Sequence, residues 1–383
     1  MKSMKRLLTM LLMITSVFFL ACEDETEQLS KDEVITELNN LDNDMSGYME
    51  EMMNSDGIEA MDILMSLPDP FTSTKSSART SVLPNIQKYL LPVNTVKEKS
   101  TLEAEPFNFD TYVGTYTYHH TPFPYWEVET GGDKIIINFP SDEANMETND
   151  GVLTIHNYNE VMITYYDDFY QTNIDDYYPT DILADIYVED VKIVEIDLDA
   201  TWETEGDVAG EPKSFDISVY LVPFEFTGTF DHTSTAANID FGINYENESI
   251  FSAGVDATFE NSDMETPLTV GGRIQMLAVE VVANVDVKGL ETIFEDLENQ
   301  TSQYITMDEL TDAMNDEIDA TLSVDGVKAA DIEIQYDVTS EEMITIVLVF
   351  SDGTTEPAEQ FFDGLTTDIE DFFYFLEGVY ADW

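Results

Sequence analysis

The side chains that most often carry out covalent or acid–base chemistry are few in this 383-residue chain. It has one cysteine, Cys22, and four histidines, His119, His120, His156 and His232. His119 and His120 are adjacent, so on a strand they would point to opposite faces and would not bind one metal ion together. Glycine-rich phosphate loops, G-x-S-x-G elbows and H-E-x-x-H metal motifs are absent from the sequence. The sequence therefore predicts no catalytic residue, no metal site and no cofactor.

Carboxylates are the one reactive group that the chain has in excess. It contains 79 Asp and Glu residues against 15 Lys and Arg residues, a formal net charge of −64 at pH 7. With so many acids, pairs of carboxylates arise at any spacing by chance, so spacing does not identify a catalytic acid and base. A hydrolase with an unidentified acid pair therefore remains only a second alternative for the function.

Aromatic side chains are concentrated in two segments. TYTYHHTPFPYW (115–126) contains five Tyr, Phe and Trp rings, and TYYDDFYQTNIDDYYP (164–179) contains six beside two Asp pairs. Such rings supply large contact area at low entropic cost, and rings beside carboxylates can hold a sugar or a cationic ligand. Packing of the same rings within a sheet is the alternative interpretation. The predicted ligand-binding residues are Tyr116, Tyr118, Tyr125, Trp126, Tyr165, Tyr166, Tyr170 and Tyr177.

Both aromatic segments are predicted to lie at least partly in loops. Pro122 and Pro124 interrupt the first segment, and the Asp pairs at 167–168 and 175–176 interrupt the second. Loops on a rigid sheet are where binding residues gather. The two segments are therefore expected to form one ligand surface.

Cys22 follows an uncharged stretch at the start of the chain. Residues 1–6 carry three cations, residues 7–21 carry no charge, and the run ends Leu20-Ala21-Cys22. This is the pattern of a secretory signal, since about 15 apolar residues are too few for a membrane span of about 20. The ending resembles the bacterial lipobox. That resemblance implies a diacylglycerol on the Cys22 sulfur, cleavage before Cys22 and acylation of the new amine. A plain signal peptide or a short uncleaved anchor is the alternative.

An acidic cluster, Glu23-Asp24-Glu25-Thr26-Glu27, follows the cysteine. It resembles the surface-export signal of Bacteroidota lipoproteins, which implies a lipid-anchored protein on the extracellular side of the outer membrane. A solvated tether is the alternative reading of the cluster, and the periplasmic side is the alternative location.

The charge of the mature chain restricts its partners. Removal of the leader with its three cations leaves 12 basic and 79 acidic residues, a net charge of −67. Nucleic acid is excluded as a partner because phosphates need cations opposite them. A charge of this size makes the folded state repel itself unless salt screens it, so we expect a saline or marine habitat and divalent cations on the acidic surface.

Apolar periodicity predicts helices at both ends of the chain. Ser30-x-x-Glu33 is a capping box, and the apolar stripe behind it predicts a helix over 31–53. A second short helix is predicted before Pro68. Near the other end, helices are predicted after Gly289, after Thr306 and after Thr367.

The middle of the chain alternates between apolar and polar residues with a period of two. Strands are predicted at 135–139, 152–155, 194–202, 215–221, 224–230, 239–245 and 251–259, with a bulge around Pro223 and a hairpin turn at 149–151. A smaller sheet is predicted within 321–350. The fold class expected is α+β: a curved antiparallel meander, in the extreme a half-barrel, flanked by N-terminal and C-terminal amphipathic helices.

The predicted organisation has five parts. These are a signal peptide at 1–21, an acidic tether at 22–30, a helical segment at 31–67, a linker at 68–105 and one α+β domain at 106–383. The β-region opens with Phe107-x-Phe109-Asp110-x-Tyr112-Val113-Gly114-Thr115-Tyr116. Together with the lipobox and its acidic continuation, this resembles surface lipoproteins of marine Bacteroidota. The resemblance implies a surface-anchored domain and no particular activity.

Three classes of function remain open at this point. The first is a non-enzymatic binding or structural role at the cell surface, with the membrane as a partner through the lipid anchor and a glycan or an apolar small molecule as ligand. The second is a carrier that shelters a lipid or another apolar ligand in a half-barrel. The third is the hydrolase mentioned above.

Overall fold

The structure is a computed structural model that describes residues 29–68, 70–71, 109–167, 172–204, 209–261, 266–298, 306–336 and 344–361. Several predictions fall outside these residues. They concern Cys22 with its leader and acidic cluster, most of the linker, Tyr170 and the helix after Thr367.

The chain forms two compact units. Unit 1 comprises Met1–Tyr48, Asp231–Gly242 and Ser249–Tyr374, and unit 2 comprises Met49–Phe230, Ile243–Glu248 and Phe375–Trp383. The domain limits predicted from the sequence stay a prediction.

The described residues include five α-helices, and four of them have the lengths that periodicity predicts to within a few residues. The helices are α1 (Lys31–Met53), α2 (Asp56–Ser66), α3 (Phe109–Tyr112), α4 (Val287–Glu298) and α5 (Met307–Asn315). The capping box at Ser30 is present, because the Ser30 N–H and hydroxyl donate to Glu33 at 3.0 and 2.6 Å. Thr306 and Glu309 form a second capping box at α5. Helix α3 is four residues long, and the sequence did not indicate it.

Unit 2 is built on eight strands. They are β1 (Gly114–His119), β2 (Tyr125–Thr130), β3 (Ile135–Phe139), β4 (Gly151–Asp167), β5 (Thr172–Val188), β6 (Val191–Trp202), β7 (Pro212–Leu221) and β8 (Phe224–His232). Hydrogen-bonded neighbours give the order β2-β1-β3-β4-β5-β6-β7-β8. Neighbours from β3 to β7 are antiparallel, whereas β1 and β3 are parallel. The sheet is therefore mixed, and its meander begins at β3.

Unit 1 contains the remaining strands. They are β9 (Ala236–Tyr245), β10 (Glu248–Phe259), β11 (Pro267–Met276), β12 (Val279–Asp286), β13 (Ile318–Val324), β14 (Val327–Tyr336), β15 (Ile344–Phe350) and β16 (Thr355–Pro357). They follow one another in sequence order, and the registers from β10 to β16 are antiparallel. The division between the units passes through β8, β9 and β10, so a few residues of these strands belong to the other unit.

The core of unit 1 joins a helix to a sheet. The stripe Val34, Leu38, Leu41 and Met45 of α1 is buried in a cluster with apolar side chains of β12, β13, β14 and β15. The stripe therefore packs within its own unit, as expected for an amphipathic helix. Lys31 reinforces the start of the helix by an ion pair of 2.6 Å with Glu356.

The core of unit 2 lies on one face of its sheet. Strands β3 and β4 bury Ile135, Ile137, Phe139, Leu153 and Ile155, and their intervening residues are half-buried. Strand β6 alternates in the same way over 196–200. Strands β3, β4 and β6 thus bury alternate residues on one face, which confirms there the pattern predicted from the period of two.

Three local predictions are corrected. The turn at 149–151 does not form a tight hairpin, because Phe139 pairs with Gly151 and the connection is long enough for a 3-10 turn at Glu143–Asn145. Pro223 lies in the turn between β7 and β8 instead of in a bulge. The second aromatic segment is strand on both sides of 168–171, because cross-strand hydrogen bonds hold β4 and β5 together up to Asp167 and Thr172.

Candidate functional site

The predicted ligand-binding residues lie in unit 2, where strand alternation assigns them to two opposite faces. In β1, Gly114, Tyr116 and Tyr118 are buried, while the residues between them are half-buried. We call the side with the buried residues the inner face and the opposite side the outer face. Following the registers from β2 to β6, the outer face carries Tyr125, His119, Tyr187, Leu183 and Asp197.

Tyr116, Tyr118 and Trp126 lie on the inner face. Tyr116 and Tyr118 are each 4% exposed, and the Tyr116 hydroxyl donates to the Tyr112 carbonyl at 2.8 Å. Trp126 contacts the Tyr118 ring at a centroid distance of 5.2 Å and donates its indole N–H to the Pro68 carbonyl at 2.6 Å. These three rings therefore make packing and hydrogen-bond contacts within the unit.

Burial also affects the acidity of these phenols. Burial, together with the neighbouring phenol of Tyr112, raises the pKa of Tyr116 to about 12. Burial likewise raises the pKa of Tyr118. Both groups therefore stay protonated at neutral pH and act as hydrogen-bond donors rather than as bases.

Tyr125 lies on the outer face, and Tyr166 and Tyr177 lie beyond the second bulge of the β4–β5 pair. Tyr125 is 50% exposed and stacks on the His119 imidazole at 4.7 Å, and His119 in turn contacts Glu127 at 3.1 Å. Tyr166 is 59% exposed, and Tyr177 is half-buried. These three rings can be reached by a ligand. The side chains of Tyr165 and Tyr170 lie outside what the structure describes.

The connection between β1 and β2 carries the most exposed large hydrophobic residue described. Phe123 is 78% exposed and lies between Pro122 and Pro124. The prolines restrict the backbone on either side of the ring. Thr121 donates from its hydroxyl to Glu147 at 3.2 Å, which ties the connection to the segment before β4.

The structure does not bring the two aromatic segments together. Tyr116 is level with Ile137 of β3, which pairs with Leu153 of β4. Tyr166 lies 13 residues further along β4, which at about 3.3 Å per residue is roughly 40 Å. The ligand-binding role of the residues stays a prediction, and among those whose side chains the structure describes only Tyr125 and Tyr166 are exposed.

Carboxylates surround the exposed side chains of the outer face. Asp181 of β5 is directly opposite Asp199 of β6, which is directly opposite Asp216 of β7. Asp181 accepts a hydrogen bond from the Asn157 amide at 2.7 Å, and Asp185 contacts the His156 imidazole at 2.5 Å. Like charges on directly opposite residues destabilise a sheet, so this arrangement costs folding free energy.

Asp197 is at the centre of this charge. Its side chain is exposed overall, but partial burial of the carboxylate raises the pKa of Asp197, and the negative charges of Asp181, Glu195, Asp216 and Asp199 raise it further. Each of these causes favours the protonated form. The outer face is therefore a region where added positive charge would lower the electrostatic energy.

Lys192 shows how this face accommodates an ammonium group. Its Nζ donates to Glu195 at 2.6 Å and lies 5.9 Å from the centroid of the Tyr220 ring. The hydrogen bond to Glu195, reinforced by the charges of Glu195, Tyr187 and Asp185 and opposed by burial, raises the pKa of Lys192. The surroundings thus favour the charged form of the amine.

Several exposed apolar side chains are not among the ligand-binding residues predicted from the sequence. Leu183 and Tyr187 of β5 are exposed on the outer face, whereas Val191 of β6 is 60% exposed and pairs with Val188 on the inner side. Met162 of β4 is also exposed and is directly opposite Tyr177. The signal that would have found Leu183 is its position between Asp181 and Asp185 in a strand whose buried residues are Ile182, Ala184 and Ile186.

Unit 1 contains a pocket of about 330 Å³ where β11 and β12 meet the start of α4. Its lining includes Thr269, Asp286, Lys288 and Thr292. Asp286 accepts the Gly289 N–H at 2.9 Å, and Lys288 pairs with Glu260 at 3.2 Å. The two charged residues of the lining, Asp286 and Lys288, are therefore already paired within the protein.

The described part of the chain contains neither a cluster of metal-ligating side chains nor a helix that could span a membrane. Among these residues, no three His, Asp or Glu side chains come together in a way that would hold a metal ion. In the same residues, no helix is both long enough and apolar enough to cross a membrane.

Comparison with known proteins does not add a relative. No protein-family model, no curated protein and no solved structure matches this chain. The candidate site therefore rests on the geometry of the outer face of unit 2.

Proposed function

We propose that this chain is a lipid-anchored surface protein with a non-enzymatic binding role. The support for anchoring is the run that ends Leu20-Ala21-Cys22, which supplies a thiol for acylation after a leader of secretory type. The acidic cluster behind Cys22 supports placement on the extracellular side of the outer membrane. More than one acyl chain would give lasting attachment, whereas a single chain binds only marginally.

The observation that carries the binding role is the exposure of aromatic and aliphatic side chains among carboxylates on one sheet face. Tyr187 and Leu183 are exposed on the outer face of unit 2 beside Asp185 and Asp197, and Tyr125 is exposed on the same face at β2, four strands from β5. A soluble protein usually keeps such side chains isolated, and their concentration on one face marks interaction surfaces. We therefore propose that the ligand binds to the outer face, because the inner face holds the core.

The proposal has further parts that come from the sequence. We propose that helices flank the sheet at both ends and that the sheet curves into a half-barrel. We also propose a glycan or an apolar small molecule as ligand, and divalent cations bound on the acidic surface. The carrier and the hydrolase remain alternatives, and no contact among the described residues favours either of them.

Replacing Cys22 with Ala tests the anchor. The wild-type protein should fractionate with membranes and be cleaved by protease added to intact cells. The Cys22→Ala protein should lose membrane attachment, because no acyl chain can be attached without the thiol.

Thr26→Ala, four residues away, serves as the matched control and should leave both properties unchanged. Neutralising the acidic cluster with Glu23→Gln, Asp24→Asn and Glu25→Gln should preserve attachment and abolish cleavage on intact cells. Membrane attachment of the Cys22→Ala protein equal to that of the wild type would contradict the proposal.

A further inference from the structure

The outer face of unit 2 exposes two apolar side chains on one strand. Leu183 and Tyr187 lie on β5. Leu183 is directly opposite Asp197, and Tyr187 is directly opposite Lys192. A partner would bury these side chains and gain the free energy of removing them from water.

The charges beside this apolar strip are arranged in a regular line. Glu195, Asp197 and Asp199 occupy alternate positions of β6 and point to the outer face. Alternate residues of a strand are about 6.7 Å apart. An extended polypeptide has the same spacing between alternate side chains, so basic residues at every second position would match the three carboxylates.

Few basic residues lie near this line of carboxylates. Apart from His156, strands β4 to β7 contain only two basic residues, Lys192 and Lys213. Lys192 is bound at one end of the line by Glu195. The amine lies between a carboxylate and an aromatic ring, which is the combination that binds ammonium and guanidinium groups.

We propose that the outer face around Leu183, Tyr187 and β6 docks an extended segment of another polypeptide that carries Lys or Arg at alternate positions. The basic side chains pair with Glu195, Asp197 and Asp199, and the segment covers Leu183 and Tyr187. This inference rests on the binding role proposed above and adds the chemical class of the partner.

The experiment measures binding of a labelled peptide of about 12 residues, the length of β6, with Lys alternating with Thr. A second peptide has the same composition but carries its Lys residues in one block. Titrations with the purified full-length mature protein at fixed moderate salt should show binding of the alternating peptide about tenfold tighter than binding of the block peptide, since the spacing permits more simultaneous pairs.

Two variants with equal charge changes separate the face from net charge. Asp197→Asn/Asp199→Asn removes two carboxylates of the line, and Glu246→Gln/Glu248→Gln removes two exposed carboxylates at the start of β10, one in the preceding turn and one at its first position. The first variant should bind the alternating peptide about tenfold more weakly, and the second should change the affinity by less than about twofold. Leu183→Ser should weaken binding at high salt as well, because it removes an apolar contact.

Equal weakening by both double variants, or equal affinity for both peptides, would overturn the inference, since either result means unspecific charge attraction. Selective binding of neutral glycans at Tyr187, with no binding of the alternating peptide, would also overturn it while leaving the binding role intact. Because removal of like charges does not harm folding, circular dichroism should show the same fold in every variant. The Cys22→Ala experiment tests the lipid anchor separately, so a failure of the anchor proposal is distinguishable from a failure of this inference.

Discussion

At the scale of single residues, Asp197 is the clearest case of a side chain that lowers stability. Its pKa is raised in the folded protein by partial burial and by Asp181, Glu195, Asp216 and Asp199. A raised folded-state pKa means that protonation stabilises the fold. The stabilisation that protonation of Asp197 gives is therefore fully present below the unfolded pKa of about 3.9. It is lost as the pH rises through the folded pKa.

Asp197→Asn should consequently raise the melting temperature at pH 7 and low salt. The gain should be below about 1 kcal/mol because the side chain is exposed to solvent, and thus a few degrees at most. It should shrink as the pH falls through the raised pKa and approach zero below the unfolded pKa of about 3.9, where the carboxyl is protonated in both states. Thermal unfolding followed by circular dichroism at several pH values measures this.

Asp133→Asn, at an exposed position before β3, is the control and should have a smaller effect. A melting temperature of Asp197→Asn below that of the wild type at pH 7 would show that the carboxylate stabilises the fold, contrary to this account.

At the scale of elements, two glycines in neighbouring helices should respond oppositely to the same substitution. Gly57 lies in α2, close to β6 and β7. A Cβ at this position would overlap the Leu221 side chain and come within 3.2 Å of the Ile193 carbonyl oxygen. Gly47 lies within α1, and nothing approaches its Cβ position within 4 Å. We expect Gly57→Ala to destabilise the protein by about 1–3 kcal/mol through overpacking.

Gly47→Ala serves as the matched partner of this variant. It should stabilise the protein by about 0.5–1 kcal/mol, because Ala loses less conformational entropy in a helix than Gly does. Denaturant titrations of both variants measure the free energies of unfolding. Equal effects of the two substitutions would mean that α2 does not make the close approach described.

At the scale of the whole molecule, the net negative charge determines how stability depends on salt. With 15 basic residues against 79 acidic ones, the chain should gain stability as salt screens the repulsion between carboxylates. From about 0.01 M to about 1 M salt the Debye length falls from about 30 to about 3 Å, so the melting temperature should rise across this range. Sodium and potassium chloride should act alike, and divalent cations should act at lower concentration. A melting temperature that stays flat would contradict this prediction.

The sequence by itself determined the local features of this protein. Capping boxes at Ser30 and Thr306 and the apolar stripe of α1 predicted helices that the structure confirms. The period of two identified β6 to β10, because alternation is a property of each strand alone. The charge followed from composition, and the anchor at Cys22 remains a prediction from the leader.

Only the tertiary structure decided how the strands combine. Tyr118 and Tyr125 belong to one aromatic segment, yet the first is buried on the inner face and the second is exposed on the outer face. The parallel pairing of β1 with β3 and the line of Asp181, Asp199 and Asp216 across three strands likewise depend on register between distant residues. Periodicity specifies which residues of one strand share a face, but pairing between strands is set by contacts that no single segment contains.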